Sequence, residues 1–406
     1  MNATTFVFSG KAWVCVRLRS RALAVPVIVV GLLLYVGCGS PSSPPTPQVR
    51  VYSGAGYPVV ADFNQDGKAD VFTAPTFGDS KGTMNLGGGN GDFQAATSVP
   101  LPNGFYVTAV ADFNGDGKPD LLATNCAPGI VCGSTPLKVF LGNGDGTFQT
   151  TSVSTTGTLL HLVAADLNGD GKADVVGILN GTLIVYLSNG DGTFTTSASY
   201  SFSGFGALAL GDFNGDGKID VVISTDGDFL SEGQTVVFLG NGDGTFQPAK
   251  VSPGALSTGS IVVADFNGDG KSDLAMSGCG LIAGCDEWSM LGNGDGTFQG
   301  LQVFGPTTDP LDGTSALGGV DFNGDGKADL VVQGTPFWDT ADIYLGNGDG
   351  TFTKTNSYTV GSSVGSSQQL SFGIAIADFN GDGKPDIAVA NTVLLGNGDG
   401  TFRGPN

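Results

Sequence analysis

Asp378-Phe379-Asn380-Gly381-Asp382-Gly383-Lys384-Pro385-Asp386, followed after eight residues by Leu395-Gly396-Asn397-Gly398-Asp399-Gly400-Thr401-Phe402, decides how this 406-residue chain is read. The first string, or a near copy, begins at Asp62, Asp112, Asp166, Asp212, Asp265, Asp321 and Asp378, at spacings of 46 to 57 residues. The second string follows each time, from Leu141, Leu187 (with Ser188 in place of Gly), Leu239, Leu291, Leu345 and Leu395, and in an irregular form from Leu86 to Phe93. Self-similarity at a nearly fixed period marks a repeat architecture, in which each unit buries its faces against its neighbours. The length alone would allow two or three domains; the repeats make it one array of seven units.

Short apolar runs flank the strings. In the second unit Tyr106 to Ala111, Asp120 to Thr124, Leu137 to Leu141 and Thr147 to Val153 read as four strands, and no segment has helical periodicity. The Asn-Gly-Asp-Gly core suits a tight turn, because Gly and Asn tolerate the positive φ that such turns require; Asn180-Gly181 is a further hairpin signal. Seven four-stranded units predict an all-β, seven-bladed β-propeller, which protects its sheet edges by closing into a ring. Between the Phe of a second string and the next first Asp lie 18 residues after Phe93, 17 after Phe148 and 18 after Phe246, but only four follow Phe402. The 14 residues from Gln48 to Ala61 make up the difference, so the segment around Val49 to Ser53 is expected to supply the outer strand of the last blade.

The first string carries coordination chemistry. Oxygen donors alternate through it: Asp62, Asp112, Asp166, Asp212, Asp265, Asp321 and Asp378 at position 1; Asn64, Asn114, Asn168, Asn214, Asn267, Asn323 and Asn380 at position 3; Asp66, Asp116, Asp170, Asp216, Asp269, Asp325 and Asp382 at position 5. Position 7 offers the backbone carbonyl of Lys68, Lys118, Lys172, Lys218, Lys271, Lys327 and Lys384. Position 9 is Asp70, Asp120, Asp174, Asp220, Asp273, Asp329 and Asp386. An all-oxygen set of this kind suits a hard cation, so up to seven Ca²⁺ are expected, rather than Zn²⁺ or Cu²⁺, which prefer His or Cys. An EF-hand is excluded: position 12 holds no Glu, and a strand follows where a helix is required.

The paired strings resemble FG-GAP/VCBS repeats over about residues 49 to 406. That resemblance implies the seven-bladed propeller of integrin α-subunits and of many exported bacterial proteins, with calcium in its loops. It leaves function broad, since such repeats occur in adhesion proteins, lectin-like modules and domains attached to enzymes. Gln65, in place of Gly, departs from the pattern outside the ligand positions.

Charge and targeting narrow the setting. With 38 acidic against 17 basic side chains the net charge is −21, which argues against nucleic acid, a partner that needs clustered Lys and Arg. One His and two Glu leave few groups for acid-base catalysis near neutral pH. Lys11, Arg17, Arg19 and Arg21 precede an apolar run from Ala22 to Val36, short for a membrane span and suited to a signal peptide. Tyr35-Val36-Gly37-Cys38 resembles a lipobox with Cys38 as the lipidated residue. The expected layout is a signal peptide over 1–37, a Pro/Ser linker over 38–47 and the propeller over 48–406. The protein is then exported, either secreted or tethered as a lipoprotein in the periplasm or on the cell surface, and meets the membrane only through its N-terminal lipid or anchor.

Cys126 and Cys132 lie 14 and 20 residues after their unit's first Asp, and Cys279 and Cys285 repeat those offsets. Two local disulfides are expected in an exported chain, ahead of free thiols or a Cys-x5-Cys metal site. Both strings fall on one face of the ring, so the connections of variable length lie on the other, where recognition is expected. Asp286, Glu287, Trp288, Phe337, Trp338 and Asp339 are placed there, as an acidic and aromatic surface able to stack a sugar, or else tucked against the ring. The expected function is a calcium-stabilised binding or adhesion module for a glycan or protein. The alternatives are a glycan-active lyase or hydrolase using Asp286, Glu287 or Asp339, and a structural part of an envelope complex.

Overall fold

The computed structural model describes residues 58–74, 81–101, 105–124, 137–149, 151–152, 159, 161–204, 206–225, 233–254, 258–280, 284–306, 316–334, 340–360 and 373–403, together with strands Ala3–Ser9 and Ala12–Leu18. Those first two strands form an antiparallel sheet of their own, set against the innermost strands of the blades. The rest is seven four-stranded antiparallel sheets, each built from consecutive strands in sequence order. No helix occurs among the described residues, so none is long and apolar enough to cross a membrane.

Blade one contains Pro58–Ala61, Asp70–Thr73, Lys81–Asn85 and Thr97–Pro100, from the innermost strand outward. Blade two contains Tyr106–Ala111, Asp120–Thr124, Lys138–Phe140 and Thr151–Ser152, its two outer strands shorter than the sequence suggests. Blade three contains Leu162–Ala165, Asp174–Leu179, Thr182–Ser188 and Phe194–Ser201; blade four Gly206–Gly211, Asp220–Thr225, Gln234–Phe238 and Lys250–Pro253. Blade five contains Thr258–Ala264, Asp273–Gly280, Gly284–Met290 and Gln302–Pro306; blade six Ala316–Val320, Asp329–Gly334, Thr340–Gly346 and Phe352–Thr359. Blade seven ends the array with Ile374–Ala377, Asp386–Val389, Thr392–Gly396 and Phe402–Arg403.

The second strand of each blade starts at the ninth-position Asp, so the first string always turns the chain between strands one and two. The second string turns it between strands three and four. Strands two and three meet at the opposite end, through the two-residue turn Asn180-Gly181 in blade three and Ala390-Asn391 in blade seven. All four of those turn residues have positive φ, between 46° and 73°, as the twist of a tight hairpin demands.

Because a blade is buried on both faces, its inner strands are mostly apolar, and the core lies in the seams between blades. One cluster joins Val71 and Phe63 of blade one to Leu121 and Phe140 of blade two and to Ala377 and Phe379 of blade seven. First and last blades are therefore packed on each other, and the ring is closed. The outermost position of blade seven is filled by Phe402–Arg403. The segment 49–53, expected to add an outer strand there, lies outside the described residues, as do Cys38 and the linker.

Candidate functional site

Each first string folds back on its own carboxylate. In blade two Oδ1 of Asp112 accepts the N–H groups of Gly115 at 2.7 Å and Asp116 at 3.1 Å, while Oδ2 accepts that of Gly117 at 2.7 Å. Oδ1 of Asn114 also accepts the Asp116 N–H, at 2.9 Å, and Oδ1 of Asp116 takes the N–H of Lys118 at 3.0 Å. Reaching that geometry requires Gly115 and Gly117 at φ of 77° and 79°. Blade one places Gln65 at the first of these positions with φ 58°, and its side-chain amide donates to the Gly117 carbonyl of blade two at 3.3 Å. The ammonium of the position-7 Lys pairs with the position-5 Asp in blades one to six, at 2.9 to 3.9 Å. In blade seven Arg403 approaches Asp382 instead, at 3.8 Å.

The ninth-position Asp behaves differently. Its side chain is fully buried, and its two oxygens bridge two turns of one blade. Oδ2 of Asp220 accepts the N–H of Phe213 at 2.8 Å, within the first string, and Oδ1 accepts that of Gly240 at 2.7 Å, within the second. The other six blades repeat the pattern, with Ser188 replacing Gly in blade three. Burial pushes these carboxyls up, against the pull of the two N–H donors: to about 7 for Asp70, Asp120, Asp174 and Asp386, and to about 6 for Asp220, Asp273 and Asp329.

Metal fit follows from this donor chemistry. Every string supplies only oxygen donors, as a hard cation requires, and each ninth-position carboxylate oxygen, accepting one N–H, keeps a lone pair, whereas Oδ1 of Asp112 already accepts two. Among the described residues, however, no three His, Cys, Asp or Glu side chains are gathered as a ready metal centre. Main-chain N–H groups and the Lys ammonium hold the carboxylates along the loop.

In the six regular copies the second string is exposed at its Asp, while its Phe is buried in blades four to seven and partly buried in blades two and three. Oδ1 of Asp145 accepts both the N–H and the hydroxyl of Thr147, which lowers its pKa; Asp191, Asp243, Asp295, Asp349 and Asp399 do the same with the following Thr. The turn also reaches across the seam to the preceding blade. Gly146 donates to the carbonyl of Phe63, Gly244 to that of Leu167, Gly296 to that of Phe213 and Gly400 to that of Phe322, at 2.9 to 3.3 Å. Gly91 completes the circle by donating to Phe379 at 2.9 Å.

Phenylalanines repeat the connection. Phe148, Phe194, Phe298, Phe352 and Phe402 each meet the first-string Phe of the preceding blade edge to face, with ring centroids 5.2 to 5.7 Å apart, and Phe93 meets Phe379 at 6.0 Å. The two strings are thus lock and key between adjacent blades, a role that their spacing does not reveal. Nor does the sequence reading single out Tyr200 and Tyr358. Their hydroxyls accept the N–H of Phe246 and Phe402 of the next blade at 2.7 and 2.8 Å, and the shared Phe-x5-Tyr spacing of Phe194 and Phe352 could have flagged them.

The expected ligand face is corrected in part. Asp286, Glu287 and Trp288 lie on the third strand of blade five, not in a connection. Glu287 is 1% exposed, and Trp288, 6% exposed, belongs to the main core cluster. Asp342 is likewise on a strand, in blade six, where Lys354 pairs with it at 2.7 Å. Burial, then the charges of Glu287 and Asp342, push the Tyr344 hydroxyl up. A buried Glu and a core Trp present no surface to a ligand. Phe337, Trp338, Asp339, Cys126 and Cys132 lie outside the described residues. Cys279 and Cys285 are within strands, directly opposite each other in the ladder.

Comparison with known proteins agrees with this geometry. A family model for FG-GAP-like repeats matches residues 47–123, 129–177, 166–223, 212–276 and 321–389. The chain belongs to the FG-GAP-like repeat family. No protein of curated function matches it. Among solved structures, this FG-GAP-like propeller is similar to an Agrocybe aegerita lectin studied for specific recognition of non-reducing terminal N-acetylglucosamine, with 20% identity, a TM-score of 0.56 and coverage of 88% of this chain and 90% of that one. It is also similar to BBS1N in its complex with ARL6DN, at 9% identity and TM-score 0.52, covering 86% and 93% of the two chains. A Lactobacillus plantarum protein matches at 14% identity and TM-score 0.51, covering 80% and 93%. At these identities the likeness is one of fold.

Proposed function

We propose that this FG-GAP-like propeller is a calcium-stabilised binding module of an exported protein, with a glycan or protein ligand on the ring face opposite the two strings. The observation that carries the reading is the division of labour between the faces. On the string face, the fixed-length turns are occupied by seam hydrogen bonds, buried Phe pairs and the ninth-position carboxylates. On the other face, the connections between strands two and three range from two residues in blades three and seven to 13 in blade two, between Thr124 and Lys138. A rigid ring with loops of free length on one side is a scaffold for recognition. The lectin of similar fold supports the glycan as the first ligand to test.

Calcium would be held by the Asp, Asn and Asp side chains at positions 1, 3 and 5, the Lys carbonyl at position 7 and the Asp at position 9. It would supply the positive charge that the Lys ammonium provides only in part. Export through residues 1–37, with lipidation of Cys38, belongs to the same proposal; Cys38→Ala should abolish lipid attachment while leaving export intact. A glycan array probed with the calcium-loaded protein, and again after EDTA, tests the binding reading. Calcium-dependent hits are expected. No glycan or protein ligand under either condition, with the ring intact by circular dichroism, would refute it.

A further inference from the structure

We propose that Cys279 and Cys285 form a cross-strand disulfide that pins the tip of a hairpin post standing out from the ring face opposite the two strings. All seven second strands start at the same ninth-position Asp, so their lengths measure how far each reaches toward that face. Among the described residues six of them run four to six residues; that of blade five, Asp273–Gly280, runs eight. Two more residues add about 7 Å of reach.

Support from the rest of the sheet stops before the tip. The innermost strand pairs last at Thr258 with Gly278, and the outermost at Pro306 with Asp286. Beyond that row, among the described residues, strands two and three pair with each other, through Cys279 opposite Cys285 and Gly280 opposite Gly284. Glycines at 278, 280 and 284 are poor strand formers, and a two-stranded extension of two residue pairs is marginal without a further constraint. Directly opposed residues of an antiparallel ladder have Cα atoms about 4.5 to 5.5 Å apart, inside the range of about 4.4 to 6.8 Å that a disulfide spans. A second unit repeats the same two offsets with Cys126 and Cys132, which points to a device rather than to chance.

The chemistry balances with one co-reactant. Both thiols lose their protons, the two sulfurs join, and the two electrons reduce the disulfide of a thiol oxidant to its dithiol. That step suits the oxidising compartment proposed above but does not depend on the ligand reading.

The folded full-length protein, equilibrated with oxidised and reduced glutathione, is alkylated without reduction and digested. The peptide containing both residues is expected unalkylated and two hydrogens lighter than its reduced form. Alkylation at Cys279 and Cys285 would overturn the bond. In the Cys279→Ser/Cys285→Ser variant, amide exchange across residues 278–286 should rise about tenfold or more, while Val262 and Ala275 in the ring stay protected. Equal exchange at the tip in both proteins would overturn the pinning role, whether or not any ligand is found.

Discussion

A buried carboxylate that accepts one main-chain N–H with each oxygen is a joint of the blade before it is anything else. Asp220→Asn keeps the shape but turns an amide nitrogen toward either Phe213 or Gly240. One buried donor then loses its acceptor, at a cost of about 1 to 3 kcal/mol, read from urea denaturation. The same joints set a pH dependence. Their pKa values in the fold, about 6 to 7, stand above the ordinary carboxylate range of the unfolded chain. The folded chain therefore holds more protons between about pH 4 and pH 7, and in EDTA its stability should be greatest at the acid end of that window and fall as pH rises through it. Melting temperatures at several pH values check the sign, with a shallower fall in Asp220→Asn. Glycine matters at this scale for a different reason. Gly215 has φ 75°, and no atom lies within 4 Å of the place a methyl group would take, so Gly215→Ala is opposed by backbone strain alone. The expected loss is about 1 kcal/mol in the same denaturation experiment.

At the scale of elements, the seam is the unit of stability. Phe266 is fully buried and meets Phe352 at 5.2 Å; Phe266→Ala should cost about 3 to 5 kcal/mol. A double-mutant cycle with Phe352→Ala should leave a coupling of about 0.5 to 1.5 kcal/mol, the share due to ring geometry beyond burial. The turns around these residues are legible from the strings, because Gly and Asn at fixed offsets report a local backbone shape. The partners are not legible. Phe266 and Phe352 are 86 residues apart, and only the packing of one blade on the next brings them together. Blade five misleads for a related reason. Gly278-Cys279-Gly280 and Gly284-Cys285-Asp286 have the composition of a loop, yet continue a ladder whose register is set by Leu274 and Met290 in the core. Glu287 and Trp288 follow that register into the interior, where an acidic and aromatic sequence pattern suggests a surface.

For the whole molecule, charge is the quantity to test. The two sets of strings concentrate acids on one face of a chain whose net charge is −21. A cation that binds only the folded loops adds RT ln(1 + [L]/Kd), about 0.5 to 1.5 kcal/mol per loop at millimolar calcium if each Kd is near 10⁻⁴ to 10⁻³ M. Chelation should lower the melting temperature by several degrees or more; a melt indifferent to EDTA, with no calcium found by elemental analysis, would remove the metal from the proposal and leave the ring. The seventh seam carries a further consequence. Gly91 and Phe93 meet Phe379 nearly 290 residues away, so closure is an intramolecular binding event that must wait until blade seven has been made. Until then the chain is an open arc with one donor flank and one acceptor flank. Because the lock at every seam is of the same kind, the flank left by deleting residues 373–403 can accept blade one of another copy. Such arcs should grow head to tail into concentration-dependent polymers, whereas the full chain, whose two flanks share one molecule, stays outside that competition.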